Sequence, residues 1–265
     1  MAATDDDPID DKPMPLLEHL VELRTRLIWS MAAFGLCFAV SYYFSDQIYF
    51  ILAQPLATAL RDSGNPDPKL IYTQLYEAFF TRIKVAFFGG AFLGFPVIAA
   101  QIWLFVAPGL YRSEKRALLP FLLATPILFV MGASLAYFVL FPFAFKFFAS
   151  FQTNQGGGGI PIELLPRVGE YLDLVMKLIL ACGLIFQMPV AMSLLARVGI
   201  TSAAALRRYR RYAILGMFVI AAVVAPPDPL SMVMFAVPLL GLYEISILAA
   251  AFVEPKPAKE DSNDA

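Results

Sequence analysis

Histidine occurs once in the 265 residues, at position 19, and cysteine twice, at positions 37 and 182. A single histidine excludes the metal and general-base constellations that need several. Cys37 and Cys182 both lie inside apolar runs, so they read as small buried residues rather than a disulfide or metal pair. Charge is scarce as well. Only 15% of the residues are charged and 59% are hydrophobic, with a mean hydropathy of +0.69, whereas a soluble domain carries about 25% charged residues. That balance excludes an ordinary soluble protein and defines an integral membrane protein. Catalytic signatures are missing too: there is no HExxH, no GxSxG and no GxxxxGK. An intramembrane aspartyl site needs two embedded aspartates, and Asp173 and Asp228 both fall near helix ends. The chain is therefore not expected to be an enzyme. No cofactor, metal or nucleic-acid partner is expected.

What is present is long apolar sequence. A spanning helix needs about 20 mostly apolar residues. Residues 27–45, 85–111, 117–145 and 178–196 meet or approach that length without a charge, the last extending upstream through Val175. A further apolar region, 212–253, is too long for one span and is divided by "APPDPLS" at 225–231. Three prolines and an aspartate this close together cannot sit in mid-helix, because proline removes a backbone donor and blocks the preceding turn. The region is read as a hairpin with a short first arm, 212–225. The expected fold is an all-α integral membrane protein of six transmembrane helices. Pro96, Pro120, Pro126, Pro142, Pro189 and Pro238 lie deep in the spans and predict kinked helices. Such kinks suit a curved, receptive shape or are simply tolerated in an ordinary bundle.

Basic residues set orientation. Thirteen of the 20 Lys and Arg fall on the side shared by both termini, at 12–26, 112–116, 197–211 and 256–259. Both termini are expected to be cytoplasmic. Segments 46–84 and 146–175 then become long outer loops, with "DSGNPDP" and "NQGGGG" as turns within them. Arg82 and Lys84 sit against the rule, and Glu77 is expected to offset them. Residues 1–15, with five Asp and one Lys, read as a disordered acidic tail rather than a cleavable signal, which would begin basic. Residues 16–253 form the membrane domain, and 254–265 a cytoplasmic tail.

Two cytoplasmic clusters stand out. In "EHLVELRTRL" at 18–27, Glu22 and Arg26 are spaced i, i+4 and can pair on a helix. Leu16, Leu20, Leu23 and Leu27 form an apolar stripe on the same helix, which reads as an interfacial segment entering the first span. In "YRSEKR" at 111–116, Glu114 stands among three basic residues. Carboxylates in two short segments suit one extended basic ligand. The same spacing also fits ordinary positive-inside anchors. Gln187 and Glu244 are polar residues inside spans, each readable as an interhelical hydrogen bond or a functional contact.

"GFPVIAAQIWLFVAPGLYRSEKR" at 94–116 resembles the TatC family, the multi-spanning core of the twin-arginine protein translocase. "LLEHLVELRTRL", "EAFFTRIKVAFF", "LAYFVLFPFAF", "GITSAAALRRYRRYAI" and "PPDPLSMVMFAVPLLGLYEISI" match further blocks in the family's order, so the resemblance covers about 15–253. It implies a receptor for folded proteins bearing twin-arginine signal peptides. The family sits in the bacterial cytoplasmic membrane with single-span TatA- and TatB-type partners, self-associates and uses the proton motive force. By matching motifs the arginine pair falls to Glu22 and Glu114. Leu20, Arg24 and Phe105 occupy other recognition or assembly positions, and Arg24 is placed to orient or occupy Glu22. Pro55 in "AQPL" and Asp228 in "PPDP" fall on outer motif positions. Gln187 stands where many relatives carry glutamate in contact with a partner's transmembrane helix, and Ala225 and Met232 replace Thr and Gln near the proline turn. A small-solute transporter would show internal repeats, which the sequence lacks. A pure scaffold would be indifferent to charge changes at Glu22 and Glu114.

Overall fold

The structure is a computed structural model that describes residues 16–65, 67–106, 115–152 and 164–254. The acidic tail at 1–15, the glycine run, Glu114 and the end of the chain from 255 lie outside the described residues. The helices are α1 (Leu16–Tyr43), α2 (Ser45–Asp62), α3 (Glu77–Val106), α4 (Lys115–Leu135), α5 (Phe141–Ala149), α6 (Val168–Ile185), α7 (Met188–Arg197), α8 (Ala203–Arg208), α9 (Arg210–Val224) and α10 (Pro229–Val253). Five segments are long and apolar enough to cross a membrane: His19–Tyr43, Glu77–Phe105, Leu119–Ala149, Val168–Arg197 and Pro229–Val253. Helix α9 is the sixth. Its 15 residues rise only about 22 Å, short of a hydrocarbon core of about 30 Å. The short first arm expected of the hairpin is thus present, and the chain is an all-α, multi-pass membrane protein.

The prolines account for the interruptions. Pro142 has no N–H, and just before it the ladder slips by one residue into a π-helical turn, Ala136–Leu140, closed by the Phe141 N–H on the Ala136 carbonyl. Pro189 lies in the first turn of α7, and the chain breaks between α6 and α7 at Phe186–Gln187. In the hairpin turn Asp228 caps α10, its Oδ1 accepting from the Ser231 N–H at 2.7 Å, with Pro229 opening the helix.

Close approach of helices depends on glycine. A Cβ on Gly90 would lie 2.9 Å from the Phe38 Cα, and one on Gly132 would lie 2.5 Å from the Cys182 carbonyl oxygen. These positions let α1 pack on α3 and α4 on α6 backbone to backbone, which compensates in lipid for the missing hydrophobic drive between helices. The main core joins α2, α3, α4, α5 and α6 with the hairpin ends of α9 and α10, around Leu60, Phe141, Leu172 and Phe235. A smaller core joins α7, α8, α9 and α10 around Leu206, Leu239 and Ile247. Large apolar side chains such as Leu36, Phe138 and Phe252 remain exposed on the helix surfaces, as a lipid-facing surface requires. Cys182 is buried and Cys37 half-buried, and both are free thiols.

The supposed loop 46–84 is corrected. It contains α2 from its second residue onward, and α3 starts as early as Glu77. A single parallel bridge joins Ile71 to Arg167 and ties this segment to the one before α6. Glu77 does not neutralise Arg82 and Lys84. Its carboxylate accepts from the backbone N–H groups of Thr73 (2.9 Å), Gln74 (3.3 Å) and Gly169 (2.9 Å), pinning the start of α3 to the start of α6. Arg82 instead reaches Asp46 and the Ser45 hydroxyl, and Lys84 reaches Asp173.

Candidate functional site

At the opposite end of the bundle from α2, α1 begins beside the end of α3. The His19 ring stacks on Phe105 with centroids 4.3 Å apart. One turn further along α1, Glu22 and Arg26 share a face and pair. Arg26 Nε donates to Glu22 Oε1 at 2.9 Å, and the terminal NH2 nitrogen donates to the same oxygen. The Arg26 NH1 nitrogen donates across to Gln101 Oε1 on α3 at 3.2 Å. Both donors reach Oε1, and Glu22 Oε2 has no donor among the described residues. The pair is half-buried, with side chains 25% and 24% exposed. It floors an open notch of about 390 Å³ lined by Glu22, Thr25, Arg26, Trp29 and Gln101. A carboxylate with a free oxygen, an indole face and an amide is a set of groups able to take a guanidinium.

The helical pairing expected of Glu22 and Arg26 is present. The role expected of Arg24 is corrected: its side chain is exposed, on the other face of α1, and makes no ion pair among the described residues. Residues two apart on a helix point to different sides, whereas residues four apart share one. Leu20 and Arg24 therefore share a face away from Glu22. Leu20, Leu23 and Leu27 are 58%, 41% and 56% exposed, so the apolar stripe of α1 is largely uncovered by the described chain. Phe105 is placed by its stack with His19. Glu114, nine positions further on, lies outside the described residues. Gln101 was missed in the sequence. Its signal was a lone amide in an otherwise apolar run, one helical turn before Phe105.

Gln187 sits at the α6–α7 break. Its Nε2 donates to the Thr125 carbonyl on α4 at 3.0 Å, and the Thr125 hydroxyl in turn accepts from Trp103 Nε1 on α3 at 3.0 Å. Three helices are joined by this buried polar relay, while Gln187 Oε1 is buried with no hydrogen-bond partner among the described residues. Pro55 lies within α2 and is buried. Its missing N–H would have met the Ile51 carbonyl, which instead accepts from the Tyr137 hydroxyl at 2.8 Å. Asp228 is engaged as the α10 cap. Glu244 pairs with Arg210 at 2.7 Å, both about half-exposed, so it joins α10 to the start of α9.

No cluster of metal-binding side chains occurs among the described residues. The described polar groups lie in open notches and in links between helices, not around an enclosed reaction centre. Fold and site together define a multi-pass membrane protein with an open, polar notch at one end of its bundle. A family profile described as Sec-independent protein translocase protein (TatC) matches residues 18–238. The TatC of Magnetococcus marinus is 48% identical over 252 residues, covering 95% of this chain and 89% of the relative. The TatC of Escherichia coli is 38% identical over 238 residues, covering 90% and 88%. Two crystal structures described as the twin-arginine translocase receptor TatC superpose with TM-scores of 0.73 and 0.76. They are 37% and 38% identical, cover 89% and 88% of this chain, and are themselves covered to 99%. The chain belongs to the TatC family and is a protein translocase component of the Sec-independent, twin-arginine system.

Proposed function

We propose that this protein is the receptor subunit of the twin-arginine translocase and that Glu22 and Glu114 receive the two arginines of a signal peptide. The observation that carries the reading is the Glu22 notch: a half-buried carboxylate, open on one side, already holding a guanidinium of its own chain. Charge-assisted hydrogen bonds between guanidinium and carboxylate are the strong way to recognise arginine. Phe105 stands at the edge of this region, and the chain reaches Glu114 within nine residues. Leu20 and Arg24, on the other face of α1, contribute contacts to the residues flanking the arginine pair. The apolar stretch of the signal peptide lies along the exposed stripe of α1.

In the same reading both termini are cytoplasmic, in the bacterial inner membrane, following the basic residues at that end. Self-association and single-span TatA- and TatB-type partners complete the translocase, and the proton motive force drives export. Gln187, half-buried at the α6–α7 break, contacts a partner helix in this reading. The segments that carry Pro55 in α2 and Asp228 in the α9–α10 turn adjoin further assembly surfaces.

Crosslinking of a twin-arginine precursor to membranes containing this protein tests the site. At equal protein levels, Glu22→Ala and Glu114→Ala each weaken capture and the double variant abolishes it. Unchanged capture in the double variant removes the assignment. For Gln187, normal partner association and transport by Gln187→Leu removes the contact proposed there.

A further inference from the structure

We propose that the groove between α2 and the α4–α5 run holds one phospholipid from the leaflet on the α2 side, with an acyl chain inside and the phosphate at Lys146. Two cavities meet here and share Tyr137 and Phe138. The deeper one holds about 350 Å³ and is lined by apolar groups including Leu52, Phe92, Leu93, Ala133 and Ile179. Its hydroxyls are few, and that of Tyr137 is already spent on the Ile51 carbonyl. The shallower one holds about 290 Å³ and sets the polar groups of Gln54, Thr58, Asp62 and Lys146 among apolar ones such as Pro55 and Pro142. The Thr58 hydroxyl is turned to the Gln54 carbonyl, which leaves the Gln54 side-chain amide as a neutral donor at the mouth.

The polarity follows a lipid's own order. From Ala133 to Lys146 the helix rises about 20 Å, close to the depth of one leaflet including its headgroups. An acyl chain matches the apolar part. A glycerol ester carbonyl falls near the Gln54 amide, and a phosphate falls near Lys146. Lys146 pairs with Asp62 at 3.2 Å, both half-exposed. An ammonium has three donors, so the pair leaves some for an anion, and Arg61, Asp62 and Lys146 together carry one net positive charge. A transmembrane partner helix, an apolar rod about 10 Å across, would leave the lysine mouth unmatched.

The experiment uses the full-length purified protein in mixed micelles with dioleoylphosphatidylglycerol as the probe. Dioleoylglycerol, which lacks the phosphate, serves as control. Native mass spectrometry is expected to retain one phospholipid per chain and to retain dioleoylglycerol several-fold less. Lys146→Gln, at a side chain 59% exposed, is expected to fold normally and to erase that preference. Ser134→Phe, which fills the deeper cavity, is expected to lose the retained lipid. Equal retention of both lipids, or unaltered phospholipid retention in Lys146→Gln, overturns the proposal and marks annular lipid only. A benzophenone side chain in place of Phe138, 72% exposed, supplies a second reading in native membranes. An adduct of lipid mass supports the site. Capture of another polypeptide or of a second copy of this chain instead overturns it.

Discussion

Two carboxylates at opposite ends of the bundle, Glu77 and Glu22, are used in opposite ways. At the α2 end Glu77 is consumed by the fold, receiving three backbone N–H groups. At the other end Glu22, among the described residues, engages a single side chain through one oxygen and borders an open notch. What separates the two is how much of each group's hydrogen-bonding capacity the chain itself uses. A carboxylate saturated by backbone donors is a piece of architecture, and one left half-used in a notch is open to a ligand.

The largest effects should divide along that line. Glu22→Gln keeps the shape of the notch but removes the charge that a guanidinium requires. It should weaken capture of a twin-arginine precursor by about tenfold or more, given about 1.5–3 kcal/mol for a hydrogen bond to a charged group, and leave the thermal midpoint in detergent near that of the parent. Glu77→Gln should do the reverse: a lower midpoint, with capture per folded molecule unchanged. Capture lost in Glu77→Gln and melting lost in Glu22→Gln would dissolve the distinction. Binding and melting measured on the same preparations decide it.

The next effect probes how the α2 end repairs its own breaks. Tyr137→Phe removes the donor that serves the carbonyl left free by Pro55. It should cost about 0.5–1.5 kcal/mol, read as a lower unfolding midpoint. In a Pro55→Ala background, where the helix regains its own donor, the cost should shrink. An equal cost in both backgrounds would show that Tyr137 acts through packing rather than through that carbonyl.

Much of this was legible in the sequence, and the exceptions share a cause. Spans, hairpin and the short arm at 212–225 follow from apolar run length and from proline, which are local properties. The Glu22–Arg26 pair follows from helical spacing. Helix α2 was hidden because its 18 residues mix Asp, Gln, Arg and Pro with apolar groups, so no run marks it. Its buried face is visible only once α5 and α3 lie against it. The partners of Arg82 and Lys84 were misread because Asp46 and Asp173 are 36 and 89 residues away, whereas Glu77 was near in sequence. Gln101 and Thr125 are single polar residues in apolar runs, and only the third dimension gives each a neighbour.

The smallest effect bears on whether Glu22 is truly open to a ligand. Arg26 occupies the oxygen that an incoming guanidinium would also seek, so the two compete or share. For a partly exposed i, i+4 pair at the edge of an open notch the attraction is worth about 0.2–1 kcal/mol. Arg26→Gln therefore frees Glu22 at little cost and should tighten precursor binding by no more than about fivefold. Gln101→Leu, which removes the anchor on α3 but leaves the i, i+4 pair, should change it less. The sign is the informative part. Tighter binding in Arg26→Gln means that the resident guanidinium is a competitor that the signal sequence displaces. Weaker binding means that Arg26 aims the carboxylate. Glu22 would then belong to the architecture in the same sense that Glu77 does, differing only in that its partner is a side chain rather than the backbone.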